Sequence, residues 1–258
     1  MTSDSPVLTQ PEFLDWPDGT RIAYHRCEGK APCVVFLPGF RSDMTGDKAT
    51  TLEKFCDERG QAFLRFDYTG HGASSGEFAD GTIGQWTRDA VEAIERLTSG
   101  SLVLVGSSMG GWIMLLAALA LKPRIAGLVG IAAAPDFTEE LMWAGLDAAS
   151  RAKLERDGVI HQPSEYDPVP TPITMALIEE GRNHLLLGGP IALDCPVRLI
   201  QGKKDPDVPW QTAQRIADTL NSSDVETILV EDGDHRLSEP HDLERLTNVL
   251  AGLLHQLV

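Results

Sequence analysis

Positive charge is scarce in this chain: 22 lysines and arginines stand against 38 aspartates and glutamates, a formal net charge of −16 over 258 residues. The acidic residues are spread along the whole length. A surface built from them repels phosphate backbones and anionic membranes, so nucleic acid is not an expected partner. Cysteine is also scarce. Cys27, Cys33, Cys56 and Cys195 form no CxxC pair and no cluster with histidine at metal-ligand spacing, which argues against a disulfide scaffold or a structural zinc site. Reduced thiols are expected, with no metal. The first thirteen residues show neither an apolar h-region nor an arginine-rich amphipathic pattern, so no signal or transit peptide is indicated and a cytoplasmic location is expected. One charge-free run, 99–121, is long enough for a membrane span, but Gly106-Ser107-Ser108-Met109-Gly110-Gly111 interrupts it. A strand, a tight turn and a buried helix account for that run better.

What is present is an ordinary globular composition, 42% hydrophobic and 23% charged, in a chain long enough to bury a sizeable core. Segments 12–16 and 20–27 flank Pro17-Asp18-Gly19 and read as an antiparallel hairpin at a sheet edge. Apolar, strand-like runs follow at 33–37, 62–66, 102–105, 125–131, 197–200 and 225–230, and helical spacing appears at 47–59, 85–97, 109–121 and 240–257. The alternation predicts an α/β fold, a mostly parallel central sheet with helices on both faces. It breaks once, between Ala134 and Cys195. A helical piece at 139–156, a stretch with Pro163, Pro168, Pro170 and Pro172, and a second helical piece at 173–183 occupy that interval. Long excursions in compact domains are usually functional. This one reads as a small helical lid, about 136–194, inserted into a single domain, with Trp143 and Leu185 facing substrate. A solvent-facing decoration is the alternative.

Gly106-Ser107-Ser108-Met109-Gly110 matches the Gly-x-Ser-x-Gly nucleophile elbow. Gly72-Ala73-Ser74-Ser75-Gly76 matches it too, and context separates them. The first match follows an apolar strand and precedes an apolar helix, as an elbow requires; the second lies in a Gly/Ser/His-rich loop. Ser108 is therefore the expected nucleophile. The Met109 amide, at a helix N-terminus, is one expected oxyanion donor, and the Phe40 amide, after the 33–37 strand, is the other. Gly39 and Arg41 in the same loop are expected to contact substrate.

A serine hydroxyl needs a base. Of seven histidines, His235 sits just beyond the last strand and before the final helix, where strand ends of an open sheet converge on one crevice. His71 follows another strand and reads as a structural turn residue that could also line the site. The orienting acid should follow the 197–200 strand, where Asp205 is nearer the strand end and Asp207 is the fallback.

These pieces, together with Asp67-x-x-Gly70-His71-Gly72-x-Ser74-x-Gly76 and Asp205-x-x-Val208-Pro209, resemble the α/β-hydrolase superfamily from about residue 20 onward. A closer resemblance is to the mitochondrial palmitoyl-protein thioesterases of mammals, also described as mycophenolic acid acyl-glucuronide esterases. It rests on Pro38-Gly39-Phe40, Arg65-Phe66-Asp67-Tyr68, Gly106 to Trp112, Val208-Pro209-Trp210 and Asp234-His235-Arg236. The resemblance implies an α/β-hydrolase fold and cofactor-free cleavage of a small-molecule or protein-linked acyl thioester or ester through an acyl-enzyme. Two departures stand out: the usual His-Gly of the oxyanion strand is Pro38-Gly39 here, and the transit-peptide pattern is missing. Peptidase and C–C hydrolase activities fit the same residues. So does a non-catalytic module of this fold that binds a ligand or a protein.

Overall fold

The computed structural model describes residues 10–163 and 168–257. Among the described residues ten strands are present: β1 (Glu12–Asp15), β2 (Arg21–Cys27), β3 (Lys30–Leu37), β4 (Gln61–Phe66), β5 (Leu102–Ser107), β6 (Ile125–Ile131), β7 (Val159–Gln162), β8 (Thr171–Thr174), β9 (Val197–Gly202) and β10 (Val225–Val230). The helices are α1 (Asp47–Glu58), α2 (Ile83–Leu97), α3 (Met109–Ala120), α4 (Ala148–Asp157), α5 (Met175–Gly181), α6 (Gln211–Thr219) and α7 (Pro240–Gln256). Eight strands form one sheet in the order β1-β2-β4-β3-β5-β6-β9-β10. The pairs from β4 to β10 are parallel, and β1 and β2 add an antiparallel edge, as the hairpin signal predicted.

Successive side chains of a strand point to opposite faces, and the core divides accordingly. Val35, Leu37, Leu104, Leu128 and Leu199 pack on one face with residues of α2, α3 and α6. Val34, Phe36, Val103, Val105, Val129 and Ile200 pack on the other with Ala49 and Leu52 of α1 and Leu246, Leu250 and Leu253 of α7. Strands covered on both faces need no polar side, which explains the near-continuous apolar runs. The 99–121 run resolves into β5, a turn and α3; among the described residues no helix is long and apolar enough to cross a membrane.

Two elements differ from the expectation. Helix α6, between β9 and β10, is short and buries only Thr212, Ala213 and Ile216, too weak a stripe to read. The 136–194 excursion is not purely helical. It holds a π-helical turn (Thr138–Trp143), α4, α5 and an antiparallel pair of β7 with β8, where helical spacing suggested one long piece at 139–156. Ile160 and Ile173 of that pair pack with Leu146, Leu154 and Ile178 in a cluster separate from the main core. Four-residue strands carry little signal of their own, and Pro172 is tolerated because the pair has two free edges. Residues 164–167 of the proline-rich stretch lie outside the described residues.

Candidate active site

The sheet order places β4 and β5 on opposite sides of β3, so the chain reverses direction of growth between β3 and β5. A crevice is expected at the carboxyl ends of the strands at such a point. Ser108 lies there, between the end of β5 and the start of α3, with φ +54° and ψ −120°. This is a strained conformation for a residue with a Cβ. The surroundings impose it: Ser108 N–H donates to the Ile131 carbonyl at 2.9 Å, and the Ser108 carbonyl accepts from the Gly111 and Ala134 amides at 2.8 and 3.0 Å. The flanking glycines are required by close approach. A Cβ on Gly106 would overlap the Gly110 carbonyl, and one on Gly110 would overlap the carbonyls of Leu37 and Pro38.

His235 comes from the loop between β10 and α7, and Asp205 from the turn after β9. His235 Nε2 lies 3.0 Å from Ser108 Oγ, and His235 Nδ1 lies 2.9 Å from Asp205 Oδ2. A carboxylate only accepts, so Nδ1 carries the proton and Nε2 is left to accept from the serine hydroxyl. The Asp205 side chain is 0% exposed. Its Oδ1 accepts from the amides of Asp207 and Val208 at 2.8 Å each, and its Oδ2 also accepts from Gln201 Nε2 at 2.8 Å. These three donors and His235 fill the four acceptor positions of the carboxylate and fix its plane. Asp207 is exposed and contributes its backbone to this arrangement. Asp205, Asp207 and His235 have donor atoms within 4.8 Å of one another, a geometry open to a cation. Because every acceptor position of Asp205 is in use, the group fits orientation of an imidazole better than coordination of an ion.

Ser108, His235 and Asp207 open onto a cavity of about 770 Å³, within the usual range for small-molecule sites. Its apolar lining comes from Phe40, Phe137, Leu141, Met142 and Val208, and its polar lining includes Ser42, Asp43, Asp47, Lys48, Arg236 and Ser238. Gly39 abuts Ser108, since a Cβ there would stand 3.3 Å from Ser108 Cβ. The Phe40 ring is held edge-on by Phe78 at 4.9 Å and Phe137 at 5.7 Å. Arg41, at φ +57°, lines the cavity and donates to the Val169 carbonyl and Thr171 Oγ1, tying this loop to β8. Met109 is buried and, as the first residue of α3, its N–H has no acceptor within the helix.

Trp143 and Leu185 are not among the lining residues. Trp143 packs against the separate cluster of the excursion, its ring contacted by the guanidinium groups of Arg151 at 5.3 Å and Arg182 at 5.1 Å. Leu185 is 44% exposed. Its neighbours Leu186 and Leu187 donate their backbone N–H groups to the Asp136 carboxylate, 2.8 Å each. The apolar wall is instead made by Leu141 and Met142 in the π-helical turn, together with Phe137. Nothing in the apolar pattern of 141–143 tells which of the three faces the cavity. Lys48 had no signal beyond its place in the first turn of a helix.

The second Gly-x-Ser-x-Gly match has a different occupation. Ser74 Oγ donates to the Asp67 carbonyl at 2.7 Å and accepts from the Ala23 amide at 2.9 Å, holding its loop to β2. Asp67 accepts from the amides of Met44 and Ala73, and burial pushes its carboxyl up to about 6. His71 packs edge-on against Tyr68, Phe78 and Trp86, outside the cavity lining, and burial pushes its imidazole down to about 4.

Comparison with known proteins gives the family of the chain. The sequence profile of the Alpha/beta hydrolase family matches residues 34–247. The mitochondrial palmitoyl-protein thioesterase ABHD10 of Bos taurus is 40% identical over 250 residues, 96% of this chain and 81% of that protein. Alpha/beta hydrolase domain-containing protein 10 from mouse superposes with a TM-score of 0.90 at 38% identity, covering 97% of this chain and 100% of that one. A hydrolase structure from Agrobacterium vitis also gives 0.90, at 40% identity, covering 95% of this chain and 98% of its own.

Proposed function

The chain belongs to the α/β hydrolase family, and on that premise we propose that it is a serine thioesterase that hydrolyses acyl thioesters, small or protein-linked, with Ser108 as nucleophile, His235 as base and Asp205 as orienting acid. The observation that carries this reading is the unbroken series of hydrogen bonds from Asp205 through His235 to Ser108 Oγ, at the floor of a cavity with an apolar wall. The relatives' name, palmitoyl-protein thioesterase, supplies the acyl-thioester class.

In this mechanism Ser108 Oγ attacks the acyl carbonyl while His235 Nε2 takes the hydroxyl proton. The imidazolium is stabilised by Asp205, which stays ionised. The carbonyl oxygen becomes an oxyanion and accepts from the Met109 and Phe40 amides, donors worth roughly 10²–10³-fold each in related chemistry. Collapse breaks the carbon–sulfur bond, and His235 returns its proton to the departing thiolate. A water then repeats the sequence on the acyl-serine, releasing the acid and restoring Ser108. The apolar wall from Phe40 to Met142 takes the acyl chain, and the 136–194 segment acts as the lid that carries Phe137, Leu141 and Met142 over it. Arg41 belongs to the same reading as the tie between lid and oxyanion loop.

The cytoplasmic location expected from the sequence is part of the proposal. The relatives' name places those proteins in mitochondria. Fractionation of cells expressing the full chain decides between the two compartments.

The test is a matched series of acyl thioesters and oxyesters from two to sixteen carbons, with fluorophosphonate labelling of the folded protein. Turnover should rise with chain length and labelling should vanish in Ser108→Ala. Rates confined to two-carbon esters would contradict the long-acyl reading, and labelling that survives Ser108→Ala would remove the nucleophile assignment.

A further inference from the structure

The loop carrying His235 is held unequally on its two sides. Upstream, the Gly233 carbonyl accepts from the Lys204 amide at 2.9 Å, and Gly202 packs against the carbonyls of Gly233 and Asp234. That side is fastened to the end of β9. Downstream, the chain must turn sharply from His235 into α7, and Leu237 takes φ +43° to do so while its side chain is buried in the core cluster that holds residues of α1 and α7. A branched residue in the left-handed region is strained and persists only where its surroundings over-determine it. The Leu237 amide donates to Asp234 Oδ1 at 2.8 Å, a bond internal to the loop. The ties to another element come from Lys48. From the first turn of α1, its ammonium donates to the Arg236 carbonyl at 2.5 Å and to Ser238 Oγ at 3.0 Å, and that hydroxyl donates to the same carbonyl at 3.0 Å.

Lys48 also lines the cavity, so a role in binding an anionic substrate group has to be weighed against this. Two of its three N–H donors are already spent on the loop. The charged lining residues are also equal in number, Arg41, Lys48 and Arg236 against Asp43, Asp47 and Asp207.

We propose that Lys48 is a positioning residue for the base: by binding the Arg236 carbonyl and the Ser238 hydroxyl it clamps the loop of His235 onto α1 and keeps Nε2 within reach of Ser108 Oγ. The proposal rests on the assignment of His235 as base. The bonds are charge-assisted while the amine is protonated, roughly twice as strong as neutral ones. Burial, followed by the nearby Arg236 charge, brings the Lys48 ammonium down to about 8; the carboxylates of Asp47, Asp234 and Asp242 oppose that shift. The clamp is therefore strongest well below pH 8, half discharged near pH 8 and weaker above it.

Lys48→Met keeps length and apolar stem while removing every donor. With one long-chain acyl thioester, its kcat should fall ~10- to 100-fold at pH 7, the scale of a small misplacement of a reacting group, while KM stays within about twofold. Of the wild-type fall in kcat above pH 8, the part due to Lys48 should disappear. Hydrogen exchange at the Leu237 amide should accelerate about tenfold, with the core amides of α1 and α7 unchanged. Ser238→Ala, which removes one acceptor, should move the same readouts in the same direction by less. Unchanged exchange at Leu237 overturns the clamp, as does a raised KM at constant kcat, which would make Lys48 a substrate contact. Uniform acceleration across α1 and α7 also overturns it, leaving only a packing role. A wild-type protein that neither turns over thioesters nor takes up fluorophosphonate defeats the proposed function instead, and Leu237 exchange then still decides for or against the clamp.

Discussion

Replacing His71 with phenylalanine should remove a loss of stability on the acid side of the stability curve. The imidazole is 4% exposed, its Nδ1 lies 3.3 Å from the Thr69 carbonyl, and its Nε2 has no hydrogen-bond partner. Its ring sits 5.1 Å from both Phe78 and Trp86, in the aromatic group that also holds Phe40. Burial lowers the imidazole from 6.5 to about 4. The unfolded chain therefore binds a proton near pH 6.5 that the folded protein refuses until about pH 4. Stability from this group is complete above 6.5, declines as pH falls through the interval and levels off below it. At about 1.36 kcal/mol per pH unit the interval is worth about 3 kcal/mol. Asp67 works in the opposite direction: with its carboxyl raised from 3.8 to about 6, the folded protein binds the extra proton and gains stability as pH falls from 6 toward 4. The two nearly cancel in the wild type. Urea unfolding at pH 7.5 and 4.5 checks this. His71→Phe should lose about 2 to 3 kcal/mol less than wild type between those values, and any cost of the larger ring is common to both. Equal losses in the two proteins would refute the buried neutral imidazole.

Asp205→Asn should lower kcat by ~10³–10⁴-fold through the wrong imidazole tautomer, whereas Asp207→Asn should stay within about threefold; steady-state thioester hydrolysis separates them. Ser74→Ala leaves the Ala23 amide without its acceptor and should cost about 1–3 kcal/mol in urea unfolding, with fluorophosphonate labelling retained. Met142→Trp should fill part of the apolar wall and depress rates for sixteen-carbon substrates at least tenfold more than for four-carbon ones; an equal effect on both would detach Met142 from the acyl chain.

Local pattern by itself determined the alternation of strands and helices, the antiparallel edge hairpin and the elbow at Ser108. Each of these rests on neighbours in the chain: a run of residues covered on both faces, a turn dipeptide, a strand feeding a helix through two glycines that no larger residue replaces. The choice of His235 also followed from its place after β10, because strand ends converge. Tertiary structure decided the rest. Asp205 and Asp207 differ by two residues and share a turn, and only the fold shows that one carboxylate is enclosed by four N–H donors while the other stays exposed. Trp143 has the apolarity of a substrate contact and spends it on the separate cluster of the excursion, leaving Leu141 and Met142 to face the cavity. Lys48 carries no signal of a partner until α1 is laid beside the loop of His235. Periodicity tells that a side chain is buried or exposed; which partner it meets depends on how elements distant in sequence pack, and that information is absent from any local window.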